Sequence, residues 1–193
     1  MTTPKTVLVL RTCNAELQAH GGFQWPSKGA VKAPDFQPAE QCGNGLHGWL
    51  WGEGDGTLGN WDADAKWLVV QVLASDVIDL KNKVKFPKGK VVFCGDRFDA
   101  TAYLASKAPN QVKAIIGHTS TSGYRGTSTS GYNGTSTSGD VGTSTSGDYG
   151  TLQWFYWDGN RKRVVTAYVG ENGIKPNTPY RLNANHEPEE VKS

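Results

Sequence analysis

Cysteine is scarce: Cys13, Cys42 and Cys94 are the only three in 193 residues. An odd number at wide spacings excludes a disulfide framework and matches no paired zinc-ligand pattern. Long apolar runs are missing too. No stretch approaches the roughly 18 consecutive apolar residues of a membrane-spanning helix, so no membrane contact is expected. The start, Met1 to Lys5 ahead of Val7–Leu10, lacks the basic segment and apolar run of a secretory leader, and the expectation is a cytosolic protein. Nor is there an excess of one charge. With 20 basic and 18 acidic residues the net charge is +2, which makes neither nucleic acid nor a membrane surface a default partner. No glycine loop spaced for phosphate and no metal-ligand cluster is present, so neither a cofactor nor a metal is expected.

What is present falls into two kinds of sequence. The chain holds 24 glycines, yet also seven tryptophans, seven tyrosines and six phenylalanines, more aromatic residues than a disordered chain carries. Most of them lie outside one glycine-rich block. Composition therefore predicts an ordinary folded domain joined to an element of a different type.

From residue 119 the chain reads TSTSGYRG, TSTSGYNG, TSTSGDVG and TSTSGDYG, ending at Gly150. Alternating Thr and Ser suit a strand with two faces, and the glycines are expected to supply the φ > 0 conformations of tight corners. One octad extends at most about 26 Å, too short for a closed coil with two sheets, so two octads per coil are expected. Coils then lie about 4.8 Å apart, and four octads make about two of them. The serine hydroxyls must bond along such a ladder. A flexible Gly/Ser/Thr linker is the alternative, but linker physics keeps neither an eight-residue period nor Tyr124, Tyr132, Asp140 and Asp148 at one offset.

The segment SGYNGTSTSG at residues 130–139 resembles the AGYGSTxTAG units of bacterial ice-nucleation proteins, whose sixteen-residue coils display a Thr-x-Thr row. The resemblance implies an outward row of Thr127 with Thr129, Thr135 with Thr137, and Thr143 with Thr145, whose hydroxyls and methyls could order water. Structural scaffolding is the other role for such strands. Tyr124 and Tyr132 join these threonines as a candidate interaction surface.

After the octads, Leu152–Trp157, the turn Asp158-Gly159-Asn160 and Arg163–Val169 predict a β-hairpin cap, followed by a short strand near Tyr180 and Leu182. Residues 186–193 read as a polar tail. Arg161, Lys162 and Arg163 at the hairpin turn read as a solvated tip rather than a phosphate contact.

In the N-terminal region, β-rich runs fall at Lys5–Thr12, Trp67–Leu73, Asp76–Leu80, Lys83–Phe86 and Lys90–Cys94. Asp99–Lys107 has helical spacing with an acidic start. Lys81, Lys83, Lys85, Lys88 and Lys90 predict a solvated face or a guarded edge strand. The fold class is thus an α+β domain over residues 1–113, a short β-solenoid over 114–151, a hairpin cap over 152–185 and a tail, predominantly β throughout.

Candidate chemistry centres on Cys42 and His47, five residues apart in a glycine-rich loop, because a thiolate beside an imidazole is how a nucleophilic cysteine is activated. His20 is the third candidate. Trp25, Trp49 and Trp51 could enclose a nucleotide-like ligand, since sites concentrate in loops. Glu53, Asp55, Asp62 and Asp64 do not match a calcium loop. A buried thiol beside a packed histidine is the plainer reading of this region.

The order Cys42-x-x-Gly45-Leu46-His47, the strand at 69–72 and the basic segment at 84–92 resembles that of uncharacterised phage and prophage proteins, as does the ending from Val169 to Tyr180. The resemblance implies a viral origin and no particular activity. The leading functional expectation is a non-enzymatic accessory protein acting by binding, in the host cytosol if phage-encoded. Its solenoid would serve as scaffold or self-association platform, its partner being a host protein, a second copy or a small molecule, with nucleic acid disfavoured. An enzyme at Cys42 and His47 comes second, and ice binding through the Thr-x-Thr rows third.

Overall fold

The computed structural model describes residues 5–112 and 114–192. The Met1–Pro4 start, on which the leader was judged, the boundary residue Lys113 and the last tail residue, Ser193, lie outside the described residues. The protein is predominantly β, with several sheets and, among the described residues, no closed barrel. Its chain divides into two compact units, Met1–Val112 and Lys113–Ser193.

The first unit is a seven-stranded antiparallel sheet. Its strands are β1 (Thr6–Cys13), β2 (Gly29–Lys32), β3 (Leu46–Leu50), β4 (Lys66–Leu73), β5 (Ile78–Asp79), β6 (Val84–Phe86) and β7 (Lys88–Gly95), in the order β2-β7-β4-β1-β3-β6-β5. Strands β1 and β4 are central, and Trp67, Leu68, Val69 and Val70 are all buried, the near-continuous apolar run that a strand covered on both faces requires. Val7, Val9, Leu68, Val70 and Val72 project to one side and pack with Trp25, Phe86 and Val91.

The other side carries α1 (Arg97–Lys107), whose Ala100 and Leu104 are buried and whose Tyr103 stacks on Phe93 of β7 at 4.9 Å. The Asp96 side chain accepts from the Asp99 N–H at 2.9 Å, an N-cap that satisfies one of the free donors of the first turn. The helix ends at Ala108, immediately before Pro109, which disfavours helical geometry in the residue preceding it.

Two strands had no sequence signal. β2 and β3 are short and contain glycine, and in β3 the glycine is there for space: a Cβ on Gly48 would lie 2.4 Å from the Leu10 carbonyl oxygen. The expected strand at Asp76–Leu80 contracts to the two residues of β5, because Ala74–Asp76 forms a 3-10 turn. The single lysine face is also corrected. Lys85 is buried at 1% exposure, because β6 lies between β3 and β5, and its ammonium donates to the Gln41 carbonyl at 2.8 Å.

The second unit holds two four-stranded sheets. One has the order β13-β12-β10-β8, from β8 (Thr119–Thr121), β10 (Thr135–Ser138), β12 (Thr151–Trp157) and β13 (Lys162–Tyr168). The other has the order β15-β14-β11-β9, from β9 (Thr127–Thr129), β11 (Thr143–Thr145), β14 (Tyr180–Leu182) and β15 (Pro188–Glu190). Successive octads therefore alternate between sheets. Strands β8, β10 and β12 pair in parallel with Thr119, Thr135 and Thr151 in register, and β9 pairs with β11 through Thr127 and Thr143.

The octad corners depart from expectation in one respect. The left-handed residue is the seventh of each octad, never a glycine: Arg125, Asn133, Val141 and Tyr149 have φ of 52°, 50°, 57° and 57°. The glycines answer a different need. A Cβ on Gly131 would lie 2.3 Å from the Ala114 carbonyl oxygen, and one on Gly147 would lie 2.6 Å from the Tyr132 amide nitrogen. Neighbouring corners pack too closely for a side chain there.

Antiparallel β13 closes one sheet as the expected hairpin, with Trp154 opposite Val165. Leu152, Trp154, Val169, Ile174 and Tyr180 form the core of the cap. The segment expected as a tail contributes β15 instead, with Arg181 opposite Glu189 and Tyr180 opposite Glu190. Its charges have local partners, Arg181 with Glu189 at 2.9 Å and Lys175 with Glu190 at 3.1 Å.

Candidate functional site

The octad strands separate their two residue types by side-chain parity. Ser128, Ser136, Ser138, Ser144 and Ser146 point inward and are buried. Their hydroxyls bond one another and the backbone: Ser130 to Ser136 at 2.9 Å, Ser138 to Ser144 at 2.9 Å, and Ser136 to the Thr145 carbonyl at 2.6 Å. A serine interior is stable only when its polar groups are paired in this way.

The threonines point outward, but not as a single row. Thr127, Thr129, Thr143 and Thr145 lie on one sheet, Thr127 in register with Thr143 and Thr129 with Thr145. Thr135 and Thr137 lie on the other, beside Thr119 and Thr121 on one flank and Thr151 and Gln153 on the next. The six expected residues thus form two groups, because every corner passes the chain to the opposite sheet. Thr137 is 6% exposed and donates its hydroxyl to Gln153 Oε1 at 3.1 Å. The hydroxyls of Thr127, Thr129, Thr143 and Thr145 have no hydrogen-bond partner among the described residues. Tyr124 is 65% exposed with the Arg125 guanidinium over its ring, and Tyr132 meets Tyr149 edge-on at 5.4 Å.

In the first unit, Cys42 is exposed, and its Sγ accepts from Lys83 Nζ at 3.0 Å. That hydrogen bond and the positive charges of Lys83 and Lys85 hold the thiol below its ordinary value. His47, on β3, has its pKa pushed down to about 4 by burial and then by Lys83, Arg11 and Lys85, and its buried Nε2 has no hydrogen-bond partner among the described residues. The group beside the thiol is therefore an ammonium rather than an imidazole. No hydrogen bond joins Cys42, His47 and His20 among the described residues, and His20 is exposed on the turn His20–Gly22. Lys83 was missed as a thiol partner because it lies 41 residues from Cys42; the lysine row was its only trace in the sequence.

The three tryptophans serve the fold. Trp25 is 2% exposed and Trp49 3%; Trp25 sits in the core with Phe23 against its edge, and Trp49 Nε1 donates to the Asp55 carbonyl at 3.0 Å. Trp51 is half-buried against the same core, at φ 54°. No group of three or more metal-ligating side chains occurs among the described residues.

These features define a predominantly β protein in which an antiparallel sheet domain precedes Thr/Ser strands paired in parallel register. The chain belongs to the family described as Domain of unknown function (DUF7666), which matches residues 7–104. It is also similar to bacterial ice nucleation proteins. Identity is 43% over 101 residues with one from Pseudomonas fluorescens, covering 51% of this chain and 8% of the relative. It is 39% over 117 residues with one from Pseudomonas syringae pv. syringae, covering 60% and 9%, and 37% over 105 residues with one from Xanthomonas campestris pv. translucens, covering 53% and 7%. The matched stretch is under a tenth of the length of each of these three relatives. No solved structure matches the chain.

The likeness read from SGYNGTSTSG is thus a relation of sequence over half the chain. The phage origin gains no support from these bacterial relatives. The cytosolic expectation is corrected by the same finding: it stood on the lack of a leader in the first residues, which says nothing about where the protein works, and the relatives are bacterial ice nucleation proteins.

Proposed function

We propose that the octad unit is a short two-coil β-solenoid whose threonines order water, giving the protein an ice-binding surface. The observation that carries this reading is the in-register array of Thr127, Thr129, Thr143 and Thr145, whose hydroxyls have no hydrogen-bond partner among the described residues. Paired strands hold such an array at about 4.8 Å between rungs and about 7 Å along each strand. The ladder and the bonded serine interior fix the spacing before water arrives, so little ordering cost remains to be met on binding. Each threonine offers a hydroxyl to bond water beside a methyl around which water must order. With two rungs on this sheet the surface suits adsorption to existing ice; nucleation calls for a larger template.

Ice-crystal shaping and thermal hysteresis by the purified protein test the reading. Replacing Thr129 with lysine and Thr145, its partner across the ladder, with glutamate should abolish both while leaving the urea midpoint nearly unchanged. Absence of shaping by the unmodified protein would overturn it.

A second reading, a binding or self-association platform, rests on the edge strands. Among the described residues of the second unit β8 pairs with β10 alone and β9 with β11 alone, so each leaves one backbone edge without a strand partner in that unit, the kind of edge that templates assembly. Native mass that rises with concentration, and falls when Thr121 and Thr129 are replaced by proline, would support it; a monomer at all concentrations would dismiss it.

A further inference from the structure

The first unit carries a groove of about 480 Å³ between β2, β7 and β4, within the size range of small-molecule sites. It opens on the face of the sheet that α1 covers further along, since Gln71 and Lys90 continue the alternation of Val69 and Phe93. On this face its floor carries the side chains of Ala30 and Leu73 over the backbone of Val31 and Val72, and its rim carries Lys32, Lys88 and Lys90. No acidic residue lines it.

The register makes this charge arrangement unfavourable for the protein alone. Lys32 stands directly opposite Lys88 across the β2–β7 ladder, and Ala30 opposite Lys90. Like charges at directly opposed positions destabilise a sheet. None of the three lysines has an ion pair or a hydrogen bond among the described residues, and all three are exposed. Lysines that merely guard a sheet edge need no apolar floor beneath them. An inorganic anion would use the lysines and leave the floor wet, whereas an uncharged hydrocarbon would fill the floor and leave the repulsion in place.

We propose that this groove binds a medium-chain carboxylate, its alkyl chain on the Ala30–Leu73 floor and its head between Lys32 and Lys88. Burial of the chain strengthens binding about fourfold for each methylene removed from water, and the carboxylate offsets the opposed ammonium charges. The site lies in the sheet domain and is independent of the octads.

The test is calorimetric titration of the full chain with decanoate, beside decanol and acetate. Decanoate alone should give saturable binding that weakens with added salt. The K32Q/K88Q variant should lose about tenfold or more in affinity, as expected when charged hydrogen bonds are removed. Ala30→Phe, which keeps every charge and fills the floor, should abolish binding, and circular dichroism checks that both variants are folded. No saturable heat with decanoate, equal affinity for decanol or acetate, or decanoate affinity unchanged in either variant would each overturn the proposal.

Discussion

The hydroxyl oxygens of Ser130 and Ser146 lie 2.8 Å apart across one turn of the octad ladder, sixteen residues apart in the chain. Ser130 also bonds Ser136 on the facing sheet, so one side chain ties neighbouring rungs and both sheets together. Ser130→Ala would remove one hydrogen bond from each of two buried hydroxyls, which keep their backbone acceptors, and should cost about 0.5–1.5 kcal/mol for each bond lost. Thr127→Ala, on the outward face of β9 in the same octad, should stay within about 0.5 kcal/mol. Urea unfolding of the two variants compares them directly.

The same packing sets the cost of glycine substitutions. A Cβ on Gly150 would lie 1.9 Å from Ser146 Oγ and 2.8 Å from the Gly147 carbonyl oxygen, whereas one on Gly123 would meet nothing within 4 Å. Gly150→Ala should therefore destabilise by at least about 1–3 kcal/mol, the range for overpacking. Gly123→Ala should be neutral or slightly stabilising, because alanine restricts the unfolded chain. Equal midpoints for the two would contradict this account of why octads carry paired glycines.

Val141 occupies a left-handed corner at φ 57° with a β-branched side chain that is 56% exposed. Left-handed geometry costs an L-residue about 1–2 kcal/mol, and asparagine bears it most easily after glycine. Val141→Asn should raise the melting temperature, the gain being about 1 kcal/mol. Asn133 already fills the corresponding corner at φ 50°.

Thiol reactivity should single out Cys42. Its pKa is lowered chiefly by the Lys83 hydrogen bond, whereas burial pushes Cys13 up to about 11 and raises Cys94. Alkylation at neutral pH followed by peptide mapping should label Cys42 first, because the thiolate is the reacting form. Lys83→Met should slow that labelling and move its pH profile upward. An unchanged profile would mean that the ammonium does not control the thiol.

His47 makes stability depend on acid. Its folded pKa of about 4 lies below the ordinary 6.5, so between those values the unfolded chain binds more protons than the native one. Stability is therefore complete above the ordinary value and declines as pH falls toward about 4. His47→Gln should flatten that decline in urea midpoints measured across the interval. A slope that persists in the variant would assign the effect to another group.

Legibility in the sequence followed the range of the interaction. The octads and α1 were readable because an eight-residue period and a helical repeat recur within a few residues, and the hairpin at β12 and β13 announced itself by its Asp158-Gly159-Asn160 turn. The order β2-β7-β4-β1-β3-β6-β5 was not, since every pairing in it but β5–β6 depends on which distant strand shares the buried face. The Cys42–Lys83 contact was hidden for the same reason: His47 stands five residues from the thiol in the chain, whereas its partner comes from the residue just before β6.

The sequence by itself determined that threonine and serine would take opposite faces and that sixteen residues would separate successive rungs, because strand alternation and the reach of an extended octad are local properties of the backbone. Only the tertiary structure decided that the threonines divide between two sheets, that the corner glycines answer to crowding rather than to φ, and that Lys85 is buried while Lys32 faces Lys88. Those outcomes depend on what lies across a ladder or against a corner, and that neighbour is supplied by a part of the chain remote in sequence.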